Sequence, residues 1–192
     1  MPPSPDATPT PLPSVALPLP LIGAETIARR VRQLGDAIGR DYLAPAAGGP
    51  PVLLALMDGA CCFAADLMRA LPVPGLRVVF RRASSYRGTA STGTVALEDL
   101  PDFSGARVLV VDDILDSGHT LACACAAVAS ARAAAVRTCV LLDKPARRRP
   151  GTITAADWTG FTIPDRFVVG YGLDYDGHWR HLPDVCILSM EP

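Results

Sequence analysis

Three aspartates, Asp112, Asp113 and Asp116, fall within five residues, directly after the apolar run from Val108 to Val111. Ser117-Gly118-His119-Thr120 follows at once. Carboxylates accept hydrogen bonds from hydroxyls. A turn of small residues that opens a helix suits the opposite partner. Its backbone N–H groups and the positive end of the helix dipole attract an anion, and Ser117 and Thr120 add hydroxyl donors. Phosphate placed on the carboxylates would be repelled. Both features fit one ligand only if it carries hydroxyls along its body and a phosphate at one end. A phosphorylated sugar has that layout.

The same residues admit other readings. An apolar strand ending in acids could be the Mg²⁺-holding strand of a nucleoside triphosphatase, but no G-x-x-x-x-G-K-[ST] occurs in the chain. No G-x-G-x-x-G follows a strand, which argues against a dinucleotide site. The bland alternative is an acidic strand end solvated at a sheet edge, and the adjoining small-residue turn argues against it. Asp174-Tyr175-Asp176-Gly177 hints at a calcium loop, but Val185 stands where the twelfth-position Glu should be. Cys123 and Cys125 are spaced C-x-C with no answering pair, which does not make a zinc site.

Stepping outward, these residues need a sheet edge to hold them. Pro51–Met57, Leu76–Phe80, Arg107–Val111 and Val136–Leu142 are short apolar runs, the pattern of strands covered on both faces. Ala24–Tyr42 repeats Ile27, Val31, Leu34 and Ile38 at helical spacing, Cys62–Leu71 follows the Asp58-Gly59 turn as a helix, and Leu121–Ala135 is an Ala-rich helix. Ser84–Gly93 reads as a polar loop, Thr94–Leu97 as a local ribbon, and Phe167–Tyr171 and Val185–Leu188 as short strands. Ala146–Asp165 shows no clear periodicity. Strand alternating with helix predicts an α/β fold: a central, mostly parallel sheet with helices on both faces.

Composition sets the frame. The chain has 192 residues, 49% hydrophobic and 19% charged, which suits one domain with a real core. Residues 1–20 are rich in Pro and read as a disordered arm; residues 21–192 read as the single domain. A net charge of −1 gives no general affinity for nucleic acid or anionic lipid. No signal peptide or apolar run of about 18 residues is present, so no membrane span is expected. The six cysteines lie in apolar segments and read as reduced, buried thiols.

The stretch VLVVDDILDSGHTL resembles the phosphoribosyl-diphosphate (PRPP) signature of type I phosphoribosyltransferases, and more narrowly that of the hypoxanthine-guanine branch. The resemblance spans roughly Val52 to Leu188 and includes SSYRGTASTG, LLDKPARR and GFTIPDRFVVGYGLDYDGHWRHLP. It implies that fold, with a small hood from the terminal segments. It also implies a pentosyltransferase of purine salvage: PRPP plus hypoxanthine or guanine gives IMP or GMP and pyrophosphate, in the cytoplasm, as a homodimer or homotetramer.

Carried over by resemblance, Asp112 and Asp113 meet the ribose hydroxyls and lie near a ribose-bound Mg²⁺, and Asp116-Ser117-Gly118-His119-Thr120 holds the 5′-phosphate. Asp116 faces purine N7 as the catalytic acid or base. Spacing alone would make Lys144 a solvated residue in a basic turn with Arg147, Arg148 and Arg149; the resemblance gives it purine O6, which suits a pure donor. Phe167, an ordinary core residue by position, would stack on the purine, with Val168 and Ile114 beside it. Asp174 would hold Mg²⁺, and Arg180, otherwise an exposed ion pair, would bind pyrophosphate together with the Asp58-Gly59 turn. Ser85 and Tyr86 match the pair in a mobile lid. Asp58 is a departure, since the family usually has Lys or Arg there with a side chain directed to the subunit interface. A PRPP- or nucleotide-sensing regulator on the same fold, and a xanthine-preferring enzyme, are the alternatives.

Overall fold

A computed structural model describes residues 18–42, 49–85, 95–97 and 99–189. In chain order the elements are β1 (Leu19–Ile22), α1 (Ala24–Asp41), β2 (Pro51–Met57), α2 (Cys61–Ala70), β3 (Arg77–Ser85), β4 (Val95–Leu97), β5 (Arg107–Leu115), α3 (His119–Ser130), β6 (Ala135–Asp143), β7 (Trp158–Thr162), β8 (Val168–Val169) and β9 (Val185–Ile187). The main sheet has the order β4-β3-β2-β5-β6-β7. All its neighbours pair in parallel except β4, which lies antiparallel on the β3 edge.

The apolar strand runs are explained by cover on both faces. Leu53, Ala55, Leu109 and Val111 pack with Ile27, Val31, Leu34 and Ile38 of α1 and Phe63, Ala64 and Leu67 of α2. Val52, Leu54, Val108 and Val110 point the other way, against Leu121, Ala124 and Val128 of α3. Alternate residues thus feed two cores, which is why the strands show no polar alternation. A second, antiparallel sheet of order β1-β9-β8 is built from segments at either end of the fold and forms the hood.

Several boundaries differ from the sequence reading. Leu19 and Pro20, expected in the arm, form β1, where Leu19 pairs with Ile187 and Pro20 with Cys186. A proline is tolerated there because β1 is an edge strand; residues 1–17 lie outside the described residues. β3 runs five residues beyond Phe80, so Ser84 and Ser85 belong to a strand paired with β4 rather than to the loop. β5 continues past Val111 to Leu115, because β6 goes on pairing with it. α3 stops at Ser130, since Arg132 adopts a left-handed conformation (φ +66°). β7 lies inside the stretch without periodicity; as an edge strand of half-buried residues it carries no continuous apolar run. Two cysteines, Cys139 and Cys186, are buried and four are half-buried, all as free thiols.

Gly35 lies on the buried face of α1. A methyl group there would come 2.5 Å from the Ala70 carbonyl oxygen and 2.8 Å from its Cβ. Alanine would gain about 0.5–1 kcal/mol of helix propensity, but overpacking against fixed backbone costs about 1–3 kcal/mol. Gly35→Ala is therefore expected to lower the midpoint of denaturant unfolding; an unchanged or raised midpoint would mean that α1 and α2 are not in close contact.

Candidate active site

The site begins where the sheet splits. β2 pairs with β5 only as far as Ala55 with Val111, whereas β6 follows β5 to Leu115 with Asp143. Chain order also reverses here: β2 leads outward to β3 on one side and β5 to β6 on the other. Ligands of open α/β sheets sit in the crevice at such a point, beyond the carboxyl ends of the strands. A cavity of about 360 Å³ occupies it, lined by Gly59, Asp112, Asp113, Asp116, Ser117 and Thr120 among others. A second cavity of about 470 Å³ shares Asp113, Ile114 and Asp116 and adds Lys144, Phe167, Val168 and Asp174. Two rooms joined by one acidic wall would hold a two-part ligand.

Asp112 and Asp113 are therefore inside β5, and Asp116 is the first residue past its end. Asp112 is 8% exposed. Burial, and then the neighbouring Asp113 carboxylate, push its pKa well above the usual carboxylate range. Burial also raises Asp113, while hydrogen bonding and the Arg180 charge oppose the rise. The Asp113 amide donates to Asp112 Oδ1 (3.0 Å) and the Ile114 amide to Asp113 Oδ1 (2.8 Å). Gly59 closes the opposite side, where a methyl group would lie 1.7 Å from Asp113 Oδ2 and would have to displace that carboxylate.

The turn after β5 presents its amides by engaging its carbonyls elsewhere. The Leu115 carbonyl accepts from the Lys144 amide (3.0 Å), and that of Ser117 from the Arg149 amide (3.2 Å) and Thr152 Oγ1 (2.8 Å). In a trans peptide the N–H points opposite to the C=O, so the Asp116 and Gly118 amides are directed away from that segment. Gly118 has φ +83°, and a side chain there would strike the Ile153 carbonyl at 2.3 Å. His119 stands apart from the rest of the turn: its ring Nε2 is 3.7 Å from Cys123 Sγ, one helical turn onward. Ser117, Gly118 and Thr120 line the first cavity, and His119 does not.

Asp116 Oδ1 is buried and receives no hydrogen bond. Arg147 Nε lies 3.1 Å from it as an ion-pair contact, without hydrogen-bond alignment. Lys144 is 6% exposed, so the solvated reading of that residue does not hold. Phe167, by contrast, is 40% exposed, with Tyr175 against it edge-on at 5.7 Å. Asp174 accepts from the Gly177 amide (2.7 Å) and pairs with Arg180 (2.9 Å), which also donates to the Gly172 carbonyl (2.6 Å). Tyr171 ties this segment to α2 by a 2.5 Å hydrogen bond to Asp66. Asp58 is not among the cavity residues; Arg82 Nη2 reaches both its carboxylate oxygens at 2.8 Å. Ser85 is in β3, and Tyr86 lies outside the described residues.

The sequence reading missed Arg147, Tyr175 and the Tyr171–Asp66 anchor. Tyr175 carried a signal, an aromatic next to Asp174 in a segment otherwise rich in Gly and Asp. Arg147 and Asp66 carried none, because their partners are remote in sequence.

A Mg²⁺ ion takes one or two protein carboxylates and completes its shell with water and phosphate oxygens. The single Asp174 carboxylate at the cavity wall fits that demand. Among the described residues no group of three His, Cys, Asp or Glu could hold an ion without such help.

Asp112 holds its proton more tightly folded than unfolded. The stabilisation from this is complete below the unfolded carboxyl's pKa and is lost as pH rises through the raised folded value. Asp112→Asn is expected to stabilise the ligand-free protein by about 1–3 kcal/mol near pH 8, with the gain shrinking toward pH 4. Thermal unfolding across that range checks it; a variant less stable than the parent at pH 8 would contradict it.

The profile of the phosphoribosyl transferase domain matches residues 24–176. A hypoxanthine-guanine phosphoribosyltransferase of Mycobacterium tuberculosis is 42% identical over 167 residues, covering 84% of this chain and 81% of its own. The hypoxanthine phosphoribosyltransferase of Salmonella typhimurium is 41% identical over 168 residues, 86% of this chain and 92% of its own. The crystal structure of a hypoxanthine-guanine phosphoribosyltransferase from Bacillus anthracis superposes with a TM-score of 0.79 at 34% identity, covering 92% of this chain and all of that one. A split parallel sheet, an acidic strand end, an amide-lined turn and these relatives lead to one conclusion: the chain belongs to the phosphoribosyltransferase family, in its hypoxanthine-guanine branch.

Proposed function

We propose that the protein is a purine-salvage enzyme that transfers the 5-phosphoribosyl group of PRPP to N9 of hypoxanthine or guanine, releasing pyrophosphate and IMP or GMP. The observation that carries this reading is the pair of joined cavities, with the buried, unsatisfied Asp116 oxygen on the wall they share. The first cavity suits the ribose and 5′-phosphate: Asp112 and Asp113 accept from the sugar hydroxyls, and the Ser117–Thr120 turn donates to the phosphate. The second suits a 6-oxopurine: Lys144 donates to O6, Phe167 offers a face for stacking, and Ile114 forms the apolar wall.

In the transfer, N9 bonds to C1′ as the bond to pyrophosphate breaks. The Asp116 carboxylate, at hydrogen-bonding reach of N7, exchanges the proton that the purine ring must shift as its charge changes. Arg180 lies beside Asp174 and its charge reaches Asp113, where a guanidinium fork suits departing pyrophosphate. Asp174 would hold Mg²⁺, which when bound neutralises pyrophosphate charge. The departure at Asp58 is compatible with this, because Arg82 engages that carboxylate outside the cavity. The reading also takes the enzyme to act in the cytoplasm as a homodimer or homotetramer. Phe80, 44% exposed and two residues from Arg82 on β3, offers a partly apolar surface for self-association.

Pyrophosphate release from PRPP and Mg²⁺ with each purine in turn tests the reading. Turnover is expected with hypoxanthine or guanine and not with adenine, whose 6-amino group meets a donor at Lys144. Robust adenine turnover would refute the base assignment, and PRPP binding with no turnover on any base would favour a PRPP-sensing protein. Asp116→Asn is expected to lower kcat by about 10²–10⁴ while PRPP affinity changes far less; equal loss in both would assign it a structural role.

A further inference from the structure

We propose that Arg148 is a positioning residue that sets the separation between the Asp116 carboxylate and the Lys144 ammonium, and with it the fit of the site to a purine. The inference rests on the assignment of those two groups to N7 and O6.

Three arginines follow Lys144 closely, and they go to different places. Arg147 is 53% exposed at its side chain and reaches toward Asp116 and Asp165. Arg149 is exposed. Arg148 turns inward, with a side chain only 12% exposed, against the 16% exposed Asp143 that balances its charge. Its Nη1 donates to the carbonyls of Leu115 (2.6 Å) and Asp116 and to that of Lys144 (3.1 Å). Its Nη2 pairs with Asp143, and its Nε donates to the Thr154 carbonyl (3.0 Å).

The location explains the need. The β5–β6 register ends at Leu115 with Asp143, and the bond from the Lys144 amide to the Leu115 carbonyl is the last between the two strand ends. Beyond it the chains diverge, one into the Asp116 turn and the other into the Lys144 turn. The next backbone bond between them, from the Arg149 amide to the Ser117 carbonyl (3.2 Å), comes only after both functional side chains. The Arg148 guanidinium takes over there, bonded at once to the backbone of Asp116 and of Lys144. A guanidinium is planar and rigid, with five donors in a fixed fork. Nη1 makes both contacts, and the bonds of Nη2 to Asp143 and of Nε to the Thr154 carbonyl fix where it stands, so the two carbonyls are held at a set distance rather than merely attracted.

That distance matters because N7 and O6 belong to one rigid ring system. A purine satisfies Asp116 and Lys144 together only if their spacing matches. Misplacing a reacting group by about 1 Å can cost about 10² in rate. The ribose carboxylates Asp112 and Asp113 lie earlier in β5, inside the register that β6 still holds, and the Ser117–Thr120 turn is anchored separately, through the Ser117 carbonyl, by the Arg149 amide and Thr152 Oγ1, so PRPP binding depends on Arg148 less than purine binding does.

The test compares the parent with Arg148→Lys and Arg148→Gln. PRPP affinity is measured by calorimetry, and KM and kcat are measured with hypoxanthine. Parent turnover of hypoxanthine is established first; its absence would fail the base assignment and leave the geometry of Arg148 intact. Given turnover, both variants are expected to lose at least about tenfold in kcat/KM for hypoxanthine, with PRPP affinity held within about threefold. Lysine, which keeps the charge and loses the fork, should restore little of the loss. Three results would overturn the inference: parent-like kinetics in both variants, full rescue by lysine, or parallel losses of PRPP affinity and hypoxanthine kcat/KM. If Arg148→Gln does not fold, the lysine variant alone decides between the outcomes.

Discussion

The amides of the Asp116–Thr120 turn are available to an anion because the carbonyls on the same peptides are occupied on the far side. The segment from Lys144 to Thr152 occupies them, through two backbone amides and a threonine hydroxyl. A turn whose carbonyls faced the cavity would repel the phosphate that the reaction requires. The irregular stretch after β6 thus belongs to the proposed phosphate site without touching the ligand. Between Lys144 and Thr152 the only regular piece among the described residues is a single short helical turn at Pro145–Arg147, and the other donors go to the neighbouring turn.

The acids at the end of β5 impose the opposite condition. Asp112 and Asp113 stand where burial raises their pKa and disfavours the charge that a sugar's hydroxyls would bind. The two packed cores on either face of the sheet offset that cost. Function here draws on stability, a common feature of binding sites.

Much of this was legible in the sequence because it rests on local pattern. The four central strands announced themselves as apolar runs, α1 by the spacing of Ile27, Val31, Leu34 and Ile38, and the site by acids followed by a small-residue turn. What escaped shares a different cause. β1 contains a proline and pairs with a strand far along the chain, and β7 is an edge strand with half-buried side chains. Lys144 read as solvated by spacing and is buried, because the fold sets it against the second cavity. The partners of Arg147, Tyr171 and Asp58 lie many residues away, so no window of sequence could assign them.

The hood brings together the earliest and the latest strands of the described fold. β1 lies on β9, β9 on β8, and the Ala24 amide donates to Asp184 at 2.7 Å. Val168, which lines the second cavity, is paired with Ile187. During synthesis on the ribosome, the β2–β5–β6 core and the first cavity at its edge can take shape while β9 is still in the exit tunnel. The wall of the second cavity at Val168 cannot be completed until that strand emerges. The two cavities would therefore be finished one after the other.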